Sequence, residues 1–272
     1  MPCGPLGPLA RFLGGIRYVV SLRGGDVPGT EAGLERMHWW LAPVRRWVLR
    51  GASAVVANSE GLAALSRKAD PVGVTVIANG VDTTAFVPAQ SRPAGRYRFL
   101  FVGRLDAQKD VATLLEAAAR LRRASALPFR LTVVGDGPRS AGLRTQAGAL
   151  DIEDLVEWKS WMPRAGMPGC YASVDCLVNP SLYEGMPNVV LEAMACALPV
   201  IASDVAGNSD VVDHEETGLM VPPGNADALA QAMRRMLEAP DAAAALGRAG
   251  RAKAERRYSW AESAGAYLKF FH

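Results

Sequence analysis

From residue 97 onward, the sequence alternates between short apolar runs and longer segments with helical spacing. The apolar runs are "YRFLFVG", "FRLTVVG", "LVEW", "CLVNP", "PVIAS" and "TGLMVP", and stretches such as "VATLLEAAARLRR" and "ADALAQAMRRMLEA" separate them. Continuous β-branched runs bounded by Gly or Pro are typical of strands that helices cover on both faces, and helical crossovers make such strands parallel. The alternation predicts a doubly wound α/β domain.

A shorter series of the same kind precedes residue 88. "IRYVVSL", "SAVVAN" and "VTVIANG" predict strands, with helices across "EAGLERMHWWLAPVRRWVLR" and "EGLAALSRK". The polar segment "VDTTAFVPAQSRPAG" is typical of a linker. We predict a partial N-terminal Rossmann-like domain over residues 1–88 and a complete C-terminal one over residues 89–258. Residues 259–272 start with a capping-box pattern, Ser259 and Glu262, and predict a helix that crosses back to the N-terminal domain.

Composition narrows the class of protein. Half of the residues are hydrophobic and 21% are charged, which is typical of a soluble globular chain. The net charge of +3 gives no footprint for nucleic acid, so we expect no such partner. No apolar run has the ~18 residues that a spanning helix needs, and the opening "MPCGPLGPLARFLGG" is too rich in Pro and Gly for a signal peptide. We expect a cytoplasmic protein.

The cysteines give no sign of a metal or redox site. Cys3, Cys170, Cys176 and Cys196 form no CxxC pair and have no His at ligand spacing. We expect ordinary thiols and no bound metal.

The stretch "GRLDAQKD", residues 103–110, directly follows a predicted strand and precedes a helix. Ligands of open α/β sheets bind at this end of a strand. Gly103 allows the backbone to approach a ligand closely, Arg104 and Lys109 supply two cations, and the helix start adds partial positive charge. A diphosphate suits such a site. The alternative is that Arg104 and Lys109 are solvated loop charges.

A second stretch, "YEGMPNVVLEAMA" at residues 183–195, brackets a helix start with two acids. Asn188 is the expected cap, Pro187 fixes the entry, and the amides of about Asn188 to Leu191 are expected to be unpaired and to attract an anion. Glu192, in the second turn, suits a ribose diol, and Glu184 suits the hydroxyls of a different ring. Together these features predict a nucleotide sugar as ligand. The alternative is that both glutamates only complement the helix dipole.

Four stretches in this order, "GRLDAQKD", "VVGDGP", "NPSLYEGMPNVVLEAMACALPVIASDVAG" and "TGLMVPPGN", resemble the retaining glycosyltransferases of the group 1 type, which have the GT-B fold. That family has an E-x7-E motif, an Arg and a Lys after the first strand of the C-terminal domain, and a Thr-Gly-hydrophobic strand. The resemblance extends over about residues 50–270, because "VVANSEGLAAL" and "VIANGVDTTAFVP" resemble the end of the family's N-terminal domain.

The resemblance implies a transferase that moves a hexose from a nucleoside diphosphate sugar to a saccharide or lipid-linked acceptor, in polysaccharide or glycolipid synthesis. It implies that Glu192 binds the ribose, that Arg104 and Lys109 hold the diphosphate, and that Glu184 lies by the sugar; Glu184, Arg104 and Lys109 are thus the catalytic candidates. No cofactor or divalent metal is implied, since two cations and a helix start neutralise the leaving group and the chain has no D-x-D. The other donor-binding candidates are Gly103, Gly185, Met186, Pro187, Asn188, Val189, Val190, Leu191 and Trp161.

Three further stretches bear on specificity. In "SLRGGDVPG", Arg23 stands where the family often has His, and Asp26 follows; both are candidates facing the sugar, although Arg23 cannot carry a proton and a structural turn is the alternative. "EWKSWMP" departs from the family pattern before Trp161, near the base, and a uridine nucleotide is favoured over a guanosine nucleotide. "GDGP" is interpreted as a turn beside the nucleotide rather than as half of a dinucleotide fingerprint.

The first strands of the family's N-terminal domain, with their glycine-rich loop, have no counterpart in this sequence. We therefore expect a truncated N-terminal domain. This leaves two alternatives to an active enzyme: an inactive nucleotide-binding fragment, or one subunit of a split glycosyltransferase whose second chain supplies the other half. A sugar-nucleotide epimerase on the same fold is a third alternative.

The helix "MHWWLAPVRRWVLR" mixes Trp39, Trp40 and Trp47 with Arg45, Arg46 and Arg50. Such a mixture suits the anionic inner face of a membrane, with the protein bound peripherally. The alternative is packing against the sheet, and Pro43 disfavours one continuous amphipathic face.

Overall fold

The computed structural model describes residues 4–24, 26–29, 33–90 and 95–271. These residues form two compact units, one made of the chain up to Asn79 together with the residues from Ala261 on, and the other running from Gly80 to Trp260. Each unit contains one parallel sheet, and each of the nine apolar runs quoted above overlaps one strand. The predicted α/β class is confirmed.

The first unit has a three-stranded sheet in the order β1-β2-β3. Its elements are α1 (Leu6–Gly14), β1 (Val19–Leu22), α2 (Glu35–Trp40), α3 (Ala42–Gly51), β2 (Ala54–Ala57), α4 (Glu60–Ala69) and β3 (Val74–Val76). The small core includes Leu22, Leu49, Val55 and Leu62. The sequence predicted no helix where α1 lies.

The helix predicted across residues 31–50 is broken in two. Residues 31 and 32 lie outside the described residues; α2 ends at Trp40, and Pro43 stands in the first turn of α3, where its missing N–H costs nothing. Arg45 is buried and pairs with Asp70 (Nε–Oδ2 2.5 Å), so it is not part of an outward basic face as predicted.

The tryptophans of this region do not enter the core. Trp39 and Trp40 are each 73% exposed and Trp47 is 55% exposed, whereas Val48 and Leu49 are buried and Leu49 belongs to the core on the sheet. The alternative, packing of the helix against the sheet, therefore holds for α3 through Leu49, while the tryptophans themselves remain exposed.

The second unit continues the chain with β4 (Tyr97–Val102), α5 (Val111–Ala124), β5 (Phe129–Val134), α6 (Ser140–Ala149), β6 (Val156–Lys159), α7 (Met167–Ala172), β7 (Cys176–Asn179), α8 (Asn188–Ala195), β8 (Val200–Ser203), α9 (Ala206–Ser209), β9 (Leu219–Val221), α10 (Ala226–Glu238) and α11 (Pro240–Arg257). Its six strands are parallel in the order β6-β5-β4-β7-β8-β9. The order reverses between β4 and β7, and ligands of such sheets bind beyond the carboxyl ends of the strands at this point.

A continuous core between the sheet, α5 and α10 holds those strand ends in place. It includes Phe99, Phe101, Leu114, Leu131 and Met233, all buried completely. Burial of each such side chain contributes about 1.5–3 kcal/mol to the stability of the fold, relative to an exposed side chain. The loops at the reversal point therefore stand on a rigid base.

The contacts move both predicted domain boundaries slightly. The Val81 amide donates to the Tyr258 carbonyl at 2.7 Å, and Phe86 is buried against Tyr171, so residues 80–88 pack with the second unit rather than the first. The last helix, α12 (Trp260–Leu268), groups with the first unit from Ala261 on, where the Ser263 hydroxyl donates to the Ala78 carbonyl at 2.9 Å. Part of the predicted linker, residues 91–94, lies outside the described residues.

Candidate functional site

A cavity of about 530 Å³ lies at the carboxyl ends of β4 and β5. Four residues predicted from the sequence line it: Gly103, Arg104, Trp161 and Glu192. Another cavity of about 410 Å³ lies at the amino ends of the strands, beside Tyr97. Because open α/β sheets bind ligands at the carboxyl ends, the first cavity is the candidate site.

The strand ends behind this cavity approach too closely for side chains. A Cβ on Gly135, whose φ is +140°, would lie 1.9 Å from the Gly103 carbonyl oxygen, and one on Gly137 would lie 2.4 Å from that of Leu105. The Asp136 carboxylate accepts a hydrogen bond from the Trp161 amide at 3.1 Å, which joins the turn after β5 to the loop after β6. The "GDGP" stretch is thus a turn packed against the 103–105 loop, beside the cavity.

Lys109 and Glu184 form an ion pair that the sequence did not predict. Lys109 Nζ donates to Glu184 Oε1 at 2.6 Å, and their side chains are only 19% and 7% exposed. The pair joins the loop after β4 to the loop after β7, at the reversal point of the sheet. An ammonium group has three donors, so Lys109 can keep Glu184 and still donate to a phosphate oxygen.

Arg104 is the most open of the predicted cations. Its side chain is 74% exposed, and its Nε donates to Asp106 at 2.7 Å. Asp106, missed by the sequence reasoning, also accepts the Lys109 amide at 3.2 Å and shapes the loop that carries both cations. Arg104 is solvated, as the alternative had it, and also lines the cavity.

The start of α8 differs from the prediction. Pro187, with an extended backbone, occupies the N-cap position, and Asn188 is the first helical residue rather than the cap. The amides of Val190 and Leu191 both donate to the Pro187 carbonyl, at 3.1 and 3.3 Å. An N-cap carbonyl accepts the first helical bonds, so these two amides are not open to an anion.

The remaining turn residues predicted to surround the sugar lie between Glu184 and the helix. Met186 is buried, 8% exposed, and a Cβ on Gly207 would lie 2.5 Å from the Gly185 carbonyl oxygen. The "DVAG" loop that carries Gly207 thus supports this turn from behind. The carbonyl oxygen of Val189, in the first turn of α8, lies 3.4 Å from the Tyr171 hydroxyl oxygen.

Glu192 has a different environment from Glu184. The hydroxyl of fully buried Tyr171 donates to Glu192 Oε2 at 2.9 Å. Burial raises the pKa of the Glu192 carboxyl, while the Tyr171 hydrogen bond and the positive charge of Arg164 act to lower it. Burial, and then the negative charge of Glu192, holds the pKa of Tyr171 well above its ordinary value, so the phenol remains a donor.

Tyr171 and Arg164 were missed by the sequence reasoning. The Arg164 side chain lines the cavity, and its guanidinium carbon lies over the Trp260 ring, 4.7 Å from the ring centroid. The Trp260 indole N–H in turn donates to the Gly80 carbonyl at 2.9 Å. Tyr171 and Glu192 share no local motif, and neither do Arg164 and Trp260, so the sequence held no direct signal for these contacts. The one available sign was that Tyr171 lies within a predicted helix.

The two candidates of the first unit are held by that unit itself. The amides of Arg23 and Gly24 donate to Asp26 Oδ1 at 3.1 and 3.0 Å, which closes the turn. The Arg23 guanidinium donates to the side chains of Asn79 and Tyr267. These contacts agree with the structural-turn alternative.

Cys170, Cys176 and Cys196 are buried free thiols, and Cys3 lies outside the described residues. Across residues 4–24, 26–29, 33–90 and 95–271, no cluster of three His, Cys, Asp or Glu residues could hold a metal ion. Within the same ranges, no helix is long and apolar enough to cross a bilayer.

Comparison with known proteins identifies the family. Residues 82–253 match the model of the family described as "Glycosyl transferases group 1", and residues 1–85 match "Glycosyltransferase Family 4". The chain belongs to the group 1 glycosyltransferases. The resemblance predicted from the ordered motifs is confirmed, and with it an enzyme family that transfers sugars.

Two relatives illustrate what this group 1 glycosyltransferase is similar to. It is 30% identical to the alpha-maltose-1-phosphate synthase of Mycolicibacterium smegmatis, over 98% of this chain and 76% of the relative. It is 35% identical to the D-inositol 3-phosphate glycosyltransferase of Kineococcus radiotolerans, over 75% of this chain and 52% of the relative. The chain therefore spans between about half and three quarters of the length of these relatives.

Solved structures confirm the GT-B fold for this group 1 glycosyltransferase. Anabaena HepE, solved in complex with UDP and glucose, superposes with a TM-score of 0.85 at 21% identity, over 99% of this chain and 75% of HepE. Sucrose-phosphate synthase from Thermosynechococcus elongatus superposes with a TM-score of 0.84 at 28% identity, over 98% of this chain and 70% of that one.

Proposed function

We propose that this chain is a retaining hexosyltransferase that takes its sugar from a nucleoside diphosphate donor and passes it to a saccharide or lipid-linked acceptor. The observation that carries the proposal is the spacing of the two acids around the start of α8. Glu184 pairs with Lys109 on one side of that helix start, and Glu192 lines the cavity on the other. This order matches sugar, diphosphate and ribose along a donor.

Each group then has one role in the reaction. Glu192 accepts the ribose hydroxyls, Lys109 and Arg104 stabilise the charge that develops on the departing diphosphate, and Glu184 accepts from a sugar hydroxyl. The bond between the anomeric carbon and the phosphate oxygen breaks while the acceptor oxygen bonds to that carbon on the same face. The acceptor proton goes to the departing phosphate oxygen, so no protein nucleophile takes part.

A uridine nucleotide is the proposed donor, with a guanosine nucleotide as the alternative. HepE has been solved with UDP-glucose, whereas a relative from Mycolicibacterium smegmatis, 31% identical over 71% of its own length, is described as GDP-mannose-dependent. Trp161, 72% exposed at the cavity, is free to stack on either base.

Calorimetry with a panel of nucleoside diphosphates tests the proposal. We expect micromolar to millimolar binding of UDP, and binding of no nucleoside diphosphate at all contradicts it. Transfer assays on the nucleotide that binds then separate the alternatives. Binding without turnover favours a fragment that needs a second chain, and conversion of the donor with no acceptor present favours an epimerase.

For the acceptor side, we propose that the surface formed by Trp39, Trp40 and Trp47 contacts an anionic bilayer. Arg50 lies exposed on the same helix as Trp47 and suits anionic headgroups. Arg46 is half-exposed on that helix, and its Nε pairs with Asp70 at 3.0 Å. Sedimentation with phosphatidylglycerol vesicles at low salt should pull the protein down, and Trp39→Ala with Trp40→Ala should weaken this. Failure of the unchanged protein to sediment contradicts membrane contact without affecting donor binding.

A further inference from the structure

All hydrogen bonds that Glu184 receives from the described residues reach one of its two oxygens. Oε1 accepts from Lys109 Nζ at 2.6 Å, from Ser181 Oγ at 2.7 Å and from Asn179 Nδ2 at 3.5 Å. A carboxylate has two equivalent oxygens with about four lone-pair sites. The protein thus holds Oε1 and leaves Oε2 to a partner from outside.

A buried hydrogen-bond network, made of Asn179, Ser181, Ser203 and Asn208 and called the relay, fixes which way the Asn179 amide points. The main-chain carbonyl of Ser203 can only accept, so Asn208 must present its Nδ2 there, at 2.9 Å. Asn208 Oδ1 then faces Asn179 and accepts from its Nδ2 at 3.0 Å. The second N–H on that nitrogen is left for Glu184. The amide of Asn179 cannot turn over without placing two oxygens against each other.

The relay is buried and braced by the backbone. Asn179, Ser181, Ser203 and Asn208 are each at most 1% exposed, so water cannot replace a lost bond. Beside Asn208, a Cβ on Gly207 would lie 2.6 Å from the Glu184 carbonyl oxygen, so the start of α9 touches the Glu184 turn directly. The Ser203 hydroxyl also donates to the Ser181 carbonyl.

We propose that Asn208 is a positioning residue for Glu184. Through Asn179, and together with Ser181, it holds Oε1 inward and turns Oε2 toward the sugar of the donor, where that oxygen accepts one sugar hydroxyl. The inference rests on the proposed function, because it requires a donor sugar at Glu184. Asn208, on α9, would thus affect how the donor sugar binds without contacting the sugar itself.

The test compares how much the sugar adds to donor affinity. Calorimetry measures UDP and UDP-glucose, with GDP and GDP-mannose as the alternative pair, on the unchanged protein and on Asn208→Ala. The affinity for the sugar donor relative to the bare nucleotide should fall about tenfold, the effect of a weakened bond to a charged group, while affinity for the nucleotide stays within about twofold. In a Glu184→Gln background, Asn208→Ala should have no further effect.

Matched variants separate the outcomes. Ser181→Ala removes another donor to Oε1 at nearly constant volume and carries the same expectation if Asn208→Ala does not fold. Ser209→Ala, whose hydroxyl bonds to Asp204 on the exposed side of α9, should change nothing. An equal loss of nucleotide and sugar-donor affinity, or an effect that persists in Glu184→Gln, overturns the inference alone. Binding of neither nucleotide pair to the unchanged protein overturns the proposed function with it.

Discussion

The turn before α8 and the second turn of α8 each carry a glutamate, and the protein treats the two differently. Glu184 has a lysine, a serine and an asparagine on one oxygen. Glu192 has a single phenol, and burial raises its pKa. The protein therefore holds the acid at the proposed sugar end with several donors, whereas the acid at the proposed nucleoside end has one donor and a pKa that burial raises.

The largest effect is expected from Lys109→Met, which removes the cation that pairs with Glu184 at the proposed sugar end of the donor. Loss of one group that stabilises developing charge should lower kcat/KM by about 10²–10³-fold. The Glu184 carboxylate, 7% exposed, is then left unpaired, which costs about 3 kcal/mol of unfolding free energy. Initial rates and chemical denaturation measure the two effects.

The double variant Lys109→Met with Glu184→Gln is the control for this experiment. It should recover most of the stability and none of the activity, because the uncompensated charge is gone while the phosphate still lacks its cation. Recovery of activity would mean that Lys109 serves only to neutralise Glu184.

Glu184→Gln should lower turnover by about 10²-fold and leave the Kd of the bare nucleoside diphosphate within about twofold. The reason is that Glu184 acts on the sugar, beyond the part of the donor that the cavity holds. Single-turnover kinetics and calorimetry on the same preparation measure both. A large loss of nucleotide affinity would place the nucleotide, rather than the sugar, at Glu184.

Glu192→Gln should show the reverse pattern, with donor affinity weakened about tenfold and turnover at saturating donor changed little. A neutral amide replaces an ionised acceptor for the ribose, and hydrogen bonds to charged groups are worth about 1.5–3 kcal/mol. The ratio of KM to kcat effects decides the matter. Equal, mild effects of Glu184→Gln and Glu192→Gln would return the stretch to an ordinary helix start.

The smallest effect is expected from pH. Because burial raises the pKa of Glu192, donor affinity should fall as the pH drops through that raised value and the carboxylate is protonated. Stability moves in the opposite direction: the contribution of this group is fully present below the ordinary glutamate pKa and is lost as the pH rises through the raised one. Calorimetry and thermal unfolding across acidic to neutral pH measure the two trends.

Tyr171→Phe sharpens that test. Removing the phenol takes away a donor that lowers the pKa of Glu192, so the midpoint of the affinity loss should move to higher pH. Affinity at neutral pH should weaken only a few-fold, as for one hydrogen bond of about 1 kcal/mol. An unchanged midpoint would show that a group other than Glu192 controls the loss of donor affinity at low pH.

Local patterns in the sequence predicted a large part of the fold and of the candidate site. The nine apolar runs marked the strands, whereas the single helix predicted across residues 31–50 is two helices, α2 and α3. The two stretches at 103–110 and 183–195 supplied Lys109, Glu184 and Glu192, because loops after parallel strands meet at one edge of a sheet.

The wrong prediction of the α8 cap shows what local sequence patterns cannot give. Asn188 has the side chain of a helix cap, but the backbone turn placed Pro187 at that position and let its carbonyl take two amides. Propensity gives the type of residue that suits a helix start, whereas the path of the preceding turn decides which residue stands there.

The sequence by itself determined the parallel α/β architecture and the family, and it predicted the acids and cations of the candidate site, since these depend on local periodicity and on short motifs in order. Only the tertiary structure decided which groups touch. Lys109 meets Glu184 across 75 positions, Tyr171 meets Glu192 across 21, and Asn179 meets Asn208 across 29. These partners depend on β4 lying beside β7 and β7 beside β8, and on distances of about 3 Å that no spacing along the chain encodes.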